Sequence, residues 1–366
     1  MAAPQEEGLM HKIAVIPGDG IGKEVVPEGM RVVDAVCRRF RIELEWETFP
    51  WSCEYYASYG RMMPPEGLEI LKKFDAIFLG AVGFPNVPDH ISLWGLLMPI
   101  RKDFRQYVNL RPVRILRGIE SPLKRVKPGD IDFYVVRENN EGEYSNVGGR
   151  FYTGTEQEMV IQESIFTRKG VERVMRFAFE LARKRPKKHV TSATKSNGII
   201  YTMPYWDEIF KQISSEYPDI RTDQYHIDGL TVQFVVHPER FDVVLGSNLF
   251  GDILSDLGPA VAGSLGAAPS ANLNPEREFP SLFEPVHGSA PDIAGKGIAN
   301  PIGQIWSGAM MLEHLGYPEA ARAIENAMEI ALDDRNIKTP DIGGHATTEE
   351  MGKAIAEIVA SDAVKD

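Results

Sequence analysis

The sequence predicts an α/β protein with a largely parallel sheet, because strand-like and helix-like segments alternate along the chain. Short apolar runs predict strands over residues 12–17, 42–49, 75–80, 131–137, 188–193 and 241–246. Apolar residues with a helical period predict helices over residues 21–40, 64–73, 93–104, 168–185, 204–215, 228–236, 250–262, 301–315, 318–333 and 347–360. Thr167 is the expected N-cap of the helix that follows it. A chain of 366 residues has room for about two domains.

Composition and charge are those of a soluble globular protein, with 43% hydrophobic and 25% charged residues. A net charge of −12 argues against a nucleic-acid surface, and no apolar run is long enough for a membrane span. The start of the sequence, MAAPQEEGLMHK, lacks the apolar core of a signal peptide. Cys37 and Cys53 have no metal-ligand spacing, which is typical of free thiols in a reducing compartment. We therefore expect a cytoplasmic protein that binds neither nucleic acid nor membrane.

A glycine-rich segment, IPGDGIGK (residues 16–23), follows the first predicted strand and begins the first predicted helix. Gly18 and Gly20 fit the first two positions of the dinucleotide pattern G-x-G-x-x-G, but Lys23 occupies the third. Glycines here would also allow a tight turn, through positive φ angles and close packing. The spacing favours this structural turn over a Rossmann phosphate loop.

Two acidic residues of NLFGDILSDLG (residues 248–258) are candidates for a metal site. Asp252 and Asp256 are four residues apart and therefore share one face of the predicted helix. Their charges repel unless a cation neutralises them, and their oxygen atoms suit Mg²⁺ or Mn²⁺. Asp228, at the end of another strand, is a possible third ligand. The alternative is a solvated pair, with one carboxylate favoured by the helix dipole.

Several basic residues could bind an anionic substrate. Guanidinium groups bind carboxylates in bidentate geometry, and Arg101, Arg105, Arg111 and Arg137 lie in or beside apolar segments. Near a divalent metal ion, such arginines would suit a dicarboxylate or a 2-hydroxy acid. Lys195 directly follows a predicted strand, where sites of parallel sheets lie, and could act as a base or an anion ligand. Each of these side chains could also be an ordinary surface charge.

The segment EPVHGSAPDIAGKGIANPIG (residues 284–303) predicts a long loop, because glycine and alanine are frequent in it. Its backbone could approach a flat ligand closely. Asp292 within it offers a carboxylate for the diol of a ribose.

Together these segments resemble the β-decarboxylating dehydrogenases, the family of isocitrate and isopropylmalate dehydrogenases. The matches run in order along nearly the whole chain: IPGDGIG, LGAVG, LRPVR, VRENNEGEY, TKSN, NLFGDILSDL, GSLG and FEPVHGSAPDIAGKGIANP. Three further stretches are most similar to the tartrate and D-malate dehydrogenases of the family: VPDHISLWGLL, QYVNLRPVR and RENNEGEYS.

The resemblance implies roles for the candidate residues. Three arginines would bind the substrate carboxylates: Arg101, Arg111 and Arg137. Three aspartates would ligate Mg²⁺ or Mn²⁺, the first of them supplied by the partner subunit: Asp228, Asp252 and Asp256. Tyr144 and Lys195 would be the acid and the base, with the lysine also supplied by the partner. A requirement for K⁺ is plausible from the relatives alone.

The resemblance also implies an NAD site formed by residues 83–94 and 284–300. Its expected contacts are Gly83, Asn197, Glu284, His287, Gly288, Ser289, Ala290, Asp292, Ile293 and Asn300. NADP-dependent isocitrate relatives carry a Lys-Tyr pair where this chain has Asp292 and Ile293. A carboxylate would bind the adenosine ribose of NAD but repel a 2′-phosphate, so we expect NAD.

Substrate choice depends on three positions before the first arginine. Isocitrate relatives use a serine and an asparagine where this chain has Gly95 and Leu97, which offer no such hydrogen bonds. Isopropylmalate enzymes share the leucine but carry a glutamate in place of Trp94, whose indole could disfavour a branched γ-substituent. We therefore predict oxidative decarboxylation of D-malate to pyruvate and CO₂, and action on tartrate as well. The alternative within the family is a 3-isopropylmalate dehydrogenase.

Two other classes of protein are possible. Non-catalytic regulatory subunits occur among the isocitrate relatives, but they lack catalytic groups, whereas Tyr144, Lys195 and the three aspartates are present here. A metal-dependent phosphate-ester hydrolase built on Asp252 and Asp256 would leave the arginines unexplained.

The resemblance implies an isopropylmalate dehydrogenase-like open α/β sheet of two domains, distinct from a Rossmann fold. Residues 1–106 and 265–366 would form a large domain with the NAD site. Residues 107–264 would form a small domain with the metal and substrate residues and the dimer interface. Residues 138–163 interrupt the alternation of elements and indicate either a solvated hairpin or an arm that reaches to a partner subunit. Residues 145–165 are the expected arm of a homodimer with shared active sites.

Overall fold

The computed structural model describes residues 10–263 and 265–361. Residues 1–9 and 362–366 of the predicted large domain, and Ser264 of the GSLG motif, lie outside the described residues. The chain divides into two compact units, the first made of Met1–Phe104, Leu116–Glu120 and Ser264–Asp366 and the second of Arg105–Ile115 and Ser121–Gly263. Within the described residues, the predicted domain ranges differ from these units at residues 105–106 and 116–120.

Strands and helices alternate along most of the chain. The strands are β1 (His11–Gly18), β2 (Leu44–Thr48), β3 (Ala76–Ala81), β4 (Val108–Arg114), β5 (Asp132–Glu138), β6 (Gly148–Phe151), β7 (Met159–Gln162), β8 (His189–Thr194), β9 (Arg221–His226), β10 (Val243–Gly246), β11 (Pro269–Leu273) and β12 (Ser281–Pro285). The helices are α1 (Gly22–Phe40), α2 (Cys53–Tyr59), α3 (Gly67–Leu71), α4 (Asp89–Ser92), α5 (Met98–Asp103), α6 (Arg168–Arg183), α7 (Thr202–Ser214), α8 (Ile227–Val236), α9 (Asn248–Ala262), α10 (Ile302–Leu315), α11 (Pro318–Glu329) and α12 (Thr348–Ala360).

In the first unit the strands follow the order β2-β1-β3-β12-β11. Strand β1 pairs in parallel with β2 and β3, β12 pairs in parallel with β3, and β11 is antiparallel to β12. Helix α1 buries its apolar face and ends where Arg41 adopts a left-handed conformation and donates its N–H to the carbonyl of Cys37. The loops that follow β1, β3 and β12 leave the same edge of this parallel sheet, where ligand sites of α/β proteins lie.

In the second unit the strands follow the order β4-β5-β10-β8-β9, with β4 antiparallel to β5 and the others parallel. The core contains the rings of Phe133, Phe234 and Phe241, whose centroids lie 4.8 to 5.7 Å apart. The carboxyl ends of β5, β8, β9 and β10 carry or precede Arg137, Lys195, Asp228 and helix α9. The topology therefore places most of the predicted catalytic residues of this unit at one edge of its sheet.

Strands β6 and β7 form an antiparallel hairpin in which Gly148 pairs with Gln162 and Phe151 with Met159. Of the two alternatives for residues 138–163, the structure shows a hairpin, and whether it reaches a partner stays a prediction. The predicted cap at Thr167 is also confirmed, because its side chain accepts the N–H of Gly170.

Two helix predictions need correction. The segment predicted as one helix, residues 93–104, consists of a π-helical turn over Leu93–Leu97 followed by α5, and the short helix α4 lies directly before it. Pro99 has no N–H to donate, and the N–H of Met98 bonds to the carbonyl of Leu93 five residues back. The helix predicted over residues 318–333 ends as an α-helix at Glu329 and continues as a π-helical turn, Ile330–Asp334. No helix in the described parts of the chain has both the length and the apolar character needed to cross a bilayer.

Candidate active site

Predicted substrate, metal and acid residues contact one another in the second unit. Arg111 Nη1 donates to Asp256 Oδ1 at 3.1 Å, and Arg111 Nη2 lies 3.8 Å from Asp252 Oδ1. Arg137 forms an ion pair with Asp252, and the hydroxyl of Tyr144 donates to Asp252 Oδ2 at 2.8 Å. The patch thus combines two guanidinium groups, two carboxylates and one phenol. We call it the arginine–aspartate cluster.

Backbone pairing and small residues bring the cluster together. Asn109 of β4 lies opposite Arg137 of β5, so Arg111, two residues along β4, is on the same face as Arg137. Gly251 allows α9 to approach β5 closely, because a Cβ at this position would lie 2.5 Å from the Cβ of Arg137. Any side chain at Gly251 would therefore push Asp252 away from the arginines.

Neutral side chains hold the two arginines from behind. Asn248 Oδ1 accepts hydrogen bonds from Arg137 Nε at 3.1 Å and Nη2 at 2.7 Å. Ser255 Oγ accepts a hydrogen bond from Arg111 Nη1 at 2.7 Å. Both guanidinium groups are buried, which strengthens their interaction with the carboxylates in front of them. Sequence reasoning missed Asn248 and Ser255, although both lie in the NLFGDILSDLG motif.

The two carboxylates of the cluster are suited to a divalent cation. Burial raises the pKa of the Asp256 carboxyl, the charge of Asp252 raises it further, and Arg111 and Arg137 act in the opposite direction. Oxygen ligands of this kind are those that Mg²⁺ and Mn²⁺ prefer. Among the residues that the structure describes, no three His, Cys, Asp or Glu side chains form a metal-binding group within one chain.

The third predicted ligand, Asp228, lies with the predicted base. Lys195 Nζ donates to Asp228 Oδ1 at 2.6 Å, and this hydrogen bond lowers the pKa of the Asp228 carboxyl. The two residues follow the neighbouring parallel strands β8 and β9, which explains their contact. They form a second constellation of charged groups in the same unit.

Arg101, the remaining arginine predicted to bind substrate, belongs to the first unit and contacts Glu284 there. Arg101 Nη2 donates to Glu284 Oε1 at 3.1 Å, and Asn272 Nδ2 donates to the same oxygen atom at 2.7 Å. Arg101 and Glu284 are both buried. Glu284, expected from the resemblance to contact the cofactor, is therefore held by an arginine and an amide.

The predicted specificity residues lie just before Arg101. Trp94 and Leu97 belong to the π-helical turn and are half-buried. Lys102 Nζ lies 4.6 Å from the centroid of the Trp94 ring, a distance at which an ammonium group attracts the indole. The side chain of Leu97 packs against the apolar core of the first unit.

A cleft of about 620 Å³ in the first unit is lined by residues 82–85, 87–89, 288–289 and 291, among them Gly83, Gly288 and Ser289. Gly83 has a φ of 145°, and a Cβ there would lie 3.2 Å from Ser289 Oγ. The cleft thus joins the predicted nucleotide residues after β3 and β12.

The other predicted NAD residues lie on either side of the cleft or apart from it. Ala290 and Ile293 pack against α1 and Ala299, and Asp292 is exposed next to the cleft residue Pro291. Burial lowers the pKa of the His287 imidazole. Asn300 donates to Asp341 Oδ2 at 3.0 Å. Asn197 is exposed in the turn after β8, in the second unit.

Comparison with known proteins identifies the class of this protein. The isocitrate/isopropylmalate dehydrogenase family matches residues 12–355, and the chain belongs to this family. It is 60% identical over 354 residues to the D-malate dehydrogenase [decarboxylating] of Escherichia coli (strain K12), covering 95% of this chain and 98% of the relative. It is 58% identical over 357 residues to the tartrate dehydrogenase/decarboxylase of Pseudomonas putida, covering 95% and 98%.

Solved structures show the same relationship. The isocitrate dehydrogenase from Methylococcus capsulatus superposes with a TM-score of 0.87 at 37% identity, covering 96% of this chain and 100% of the other. A β-decarboxylating dehydrogenase from Thermococcus kodakarensis superposes with a TM-score of 0.79 at 35% identity, covering 98% and 99%. The predicted family and the predicted α/β fold, distinct from a Rossmann fold, are confirmed.

Proposed function

We propose that the protein catalyses the NAD-dependent and divalent-metal-dependent oxidative decarboxylation of D-malate to pyruvate and CO₂, and that it also acts on tartrate. The observation that carries this proposal is the arginine–aspartate cluster. Its guanidinium groups are suited to substrate carboxylates, and they contact aspartates that are suited to a metal cation. The similarity to dehydrogenases of D-malate and tartrate supports the choice of substrates.

In this proposal the arginines orient the substrate. Arg111 and Arg137 turn from Asp252 and Asp256 towards the carboxylates of the bound 2-hydroxy acid, while Ser255 and Asn248 keep the guanidinium groups in place. Arg101 is proposed as a further carboxylate ligand. Such fixed donors place the reacting carbon atoms with little loss of side-chain freedom.

Asp252 and Asp256, with Asp228 of the partner subunit, are proposed to hold Mg²⁺ or Mn²⁺. The bound ion would lower the pKa of the substrate 2-hydroxyl, and NAD⁺ would accept the hydride from C2. Lys195 accepts the proton of the hydroxyl, and Tyr144 donates a proton to C3 after CO₂ has left. K⁺ is proposed as an activator.

The cofactor is proposed to occupy the cleft after β3 and β12. The exposed carboxylate of Asp292, beside this cleft, suits the diol of the adenosine ribose and repels a 2′-phosphate. Enzymes of this family generally use NAD and a divalent metal ion, which supports NAD over NADP for this chain.

The homodimer is proposed because the β6–β7 hairpin exposes a row of large apolar side chains. Val160 is 70% exposed and Tyr152 is 66% exposed, and their apolar neighbours are Phe151, Met159 and Ile161. Large apolar side chains exposed in one segment are typical of an interaction site. Family members are typically dimeric, which makes a second copy of the chain the proposed partner.

A substrate comparison tests the proposed function. With NAD⁺, Mn²⁺ and K⁺ supplied, we expect D-malate to give the highest kcat/KM in an absorbance assay of NADH, with pyruvate and CO₂ as products. The tartrates should react more slowly, and NADP⁺ should replace NAD⁺ poorly. A higher kcat/KM for 3-isopropylmalate would select the alternative within the family. The absence of NADH from every substrate would contradict the dehydrogenase itself.

Mixed dimers test whether the active sites are shared. A chain with Lys195→Met and a chain with Tyr144→Phe should each be nearly inactive alone. If one subunit supplies Lys195 and the other Tyr144, each mixed dimer has one site with both native residues and one site with both substitutions. Such a dimer should have about half the activity of a wild-type dimer. Mixtures that stay as inactive as the two parents, with dimer exchange verified by differently tagged chains, would show that both residues act within one chain.

A further inference from the structure

The segment IPGDGIGKE (residues 16–24) contacts the backbone on one side of the nucleotide cleft through Asp19. This carboxylate is fully buried, with 0% of the residue exposed. Its Oδ2 accepts the N–H of Gly83 at 3.1 Å and that of Cys53 at 3.0 Å, and its Oδ1 accepts the N–H of Glu54 at 3.4 Å. A buried carboxylate without such donors would be very costly, so Asp19 and the backbone of Gly83 fix each other.

The same segment contacts the loop on the other side of the cleft. The N–H of Ile21 donates to the carbonyl of Ser289 at 2.9 Å. Gly20 makes this approach possible, because a Cβ there would lie 2.0 Å from the Ser289 carbonyl oxygen. One turn further along α1, Glu24 accepts the N–H of Gly295 at 2.5 Å and the N–H of Gly297 at 2.8 Å.

The loop that Glu24 contacts has no regular secondary structure. Residues 286–301 contain neither helix nor strand, and Gly295 and Gly297 have φ angles of 80° and 64°. Glycine in such a loop loses much conformational freedom when the loop is ordered. A ligand that needs an ordered loop binds more tightly when the protein has already ordered it.

We propose that Glu24 and Asp19 are positioning residues for the dinucleotide, an inference that rests on the proposed NAD site. Asp19 fixes Gly83 on one wall, and Glu24 fixes the loop that carries Asp292 on the other. The glycine-rich segment thus acts through two carboxylates that orient the cleft walls. Its glycines allow close backbone contact instead of surrounding a pyrophosphate.

A purely structural role for Glu24 makes a different prediction. An acidic residue in the first turn of a helix stabilises that helix through its dipole, and Glu24 occupies the first turn of α1. Loss of that interaction alone would lower the unfolding temperature but leave the affinity of the folded protein for NADH unchanged. Affinity therefore separates the two roles.

The test compares the purified Glu24→Gln variant with the wild type. Glutamine keeps the length of the side chain but can accept only one of the two glycine N–H groups. We expect the Kd for NADH, measured by fluorescence titration without substrate, to rise roughly tenfold. Hydrogen exchange of peptides that contain Gly295 and Gly297 should be faster in the free variant than in the free wild type.

Lys23→Gln is the matched control, because Lys23 is the exposed neighbour of Glu24 and pairs with Glu54 at the surface. It should leave both the Kd and the exchange rates unchanged. A wild-type Kd for folded Glu24→Gln would overturn the proposal for Glu24, whether or not its unfolding temperature falls. If the wild type itself fails to bind NADH, the proposed function fails instead.

Asp19→Asn tests the other wall. Its folding is checked by circular dichroism at low temperature, because the buried amide leaves at least one donor badly matched. The folded fraction should bind NADH at least tenfold more weakly than the wild type. Binding with the wild-type Kd by this fraction would overturn the role of Asp19.

Discussion

Lys195→Met is expected to lower kcat for D-malate by roughly 10²–10⁴-fold, the usual contribution of a positioned acid or base. Lys195 Nζ lies 2.6 Å from Asp228 Oδ1, so the ammonium group is held at the end of β8 by a carboxylate. Methionine keeps the length of the apolar stem but removes the nitrogen. The measurement is steady-state NADH formation with saturating D-malate, NAD⁺ and Mn²⁺.

A second substitution separates the two roles considered for Lys195. Arginine keeps a positive charge but does not release its proton at ordinary pH. If Lys195 is the base, Lys195→Arg should be as inactive as Lys195→Met. If Lys195 instead binds an anion, the charge of the arginine should restore part of the activity that Lys195→Met loses. Lys211→Met on the exposed face of α7 is the control and should retain wild-type kcat. Turnover of Lys195→Met within twofold of the wild type would rule out the proposed base.

Much of the parallel sheet could be predicted because its strands are continuous apolar runs. Strands β1, β3 and β10 are buried along nearly their whole length, and the pattern of their residues indicates this directly. Strands β11 and β12 were absent from the prediction, because polar residues interrupt the apolar pattern there. Asn272 and Glu284 are buried; Asn272 donates to Glu284, and Glu284 accepts from Arg101. The polar residues that hold Arg101 in place are therefore the same ones that interrupt the apolar pattern of β11 and β12.

In the candidate site, sequence spacing predicts the features within one helix but not the contacts between distant parts of the chain. Asp252 and Asp256 share a helix face, which their spacing predicts without knowledge of the fold. Their contacts with Arg111 and Arg137 depend on the register of β4 against β5 and on Gly251, which sequence spacing does not specify. The pairing of Arg101 with Glu284 joins residues 183 positions apart. The sequence predicted Glu284 as a cofactor contact because its neighbours in the motif are nucleotide residues in relatives.

The glycine-rich segment, residues 16–23, has a pattern that is found both in tight turns and in phosphate-binding loops. Its glycines have the positive φ angles and close contacts of a tight turn: 73° at Gly18 and 52° at Gly20. These features favour the structural interpretation over a phosphate loop. Asp19, between the two glycines, is the residue that indicates what the turn contacts, because a buried carboxylate needs several hydrogen-bond donors around it.

Asp252→Asn is expected to lower kcat/KM for D-malate by roughly 10²-fold or more, because several kcal/mol of charge stabilisation by a metal ion depend on its ligands. Asp252 also accepts the hydroxyl of Tyr144 and pairs with Arg137, so its carboxylate serves three groups at once. The amide is a weaker ligand and removes one negative charge between two buried arginines. We expect the Mn²⁺ concentration for half-maximal activity to rise together with the fall in kcat/KM.

Tyr144→Phe separates these contributions, since it removes the hydroxyl that donates to Asp252 but leaves the carboxylate intact. It should lower kcat and leave the Mn²⁺ requirement unchanged, whereas Asp252→Asn should change both. Direct Mn²⁺ binding to the protein, measured by calorimetry without substrate, gives a second readout independent of turnover. Unaltered Mn²⁺ binding by folded Asp252→Asn would remove Asp252 from the metal site. Asp252 would then act through its ion pair with Arg137 and its hydrogen bond with Tyr144.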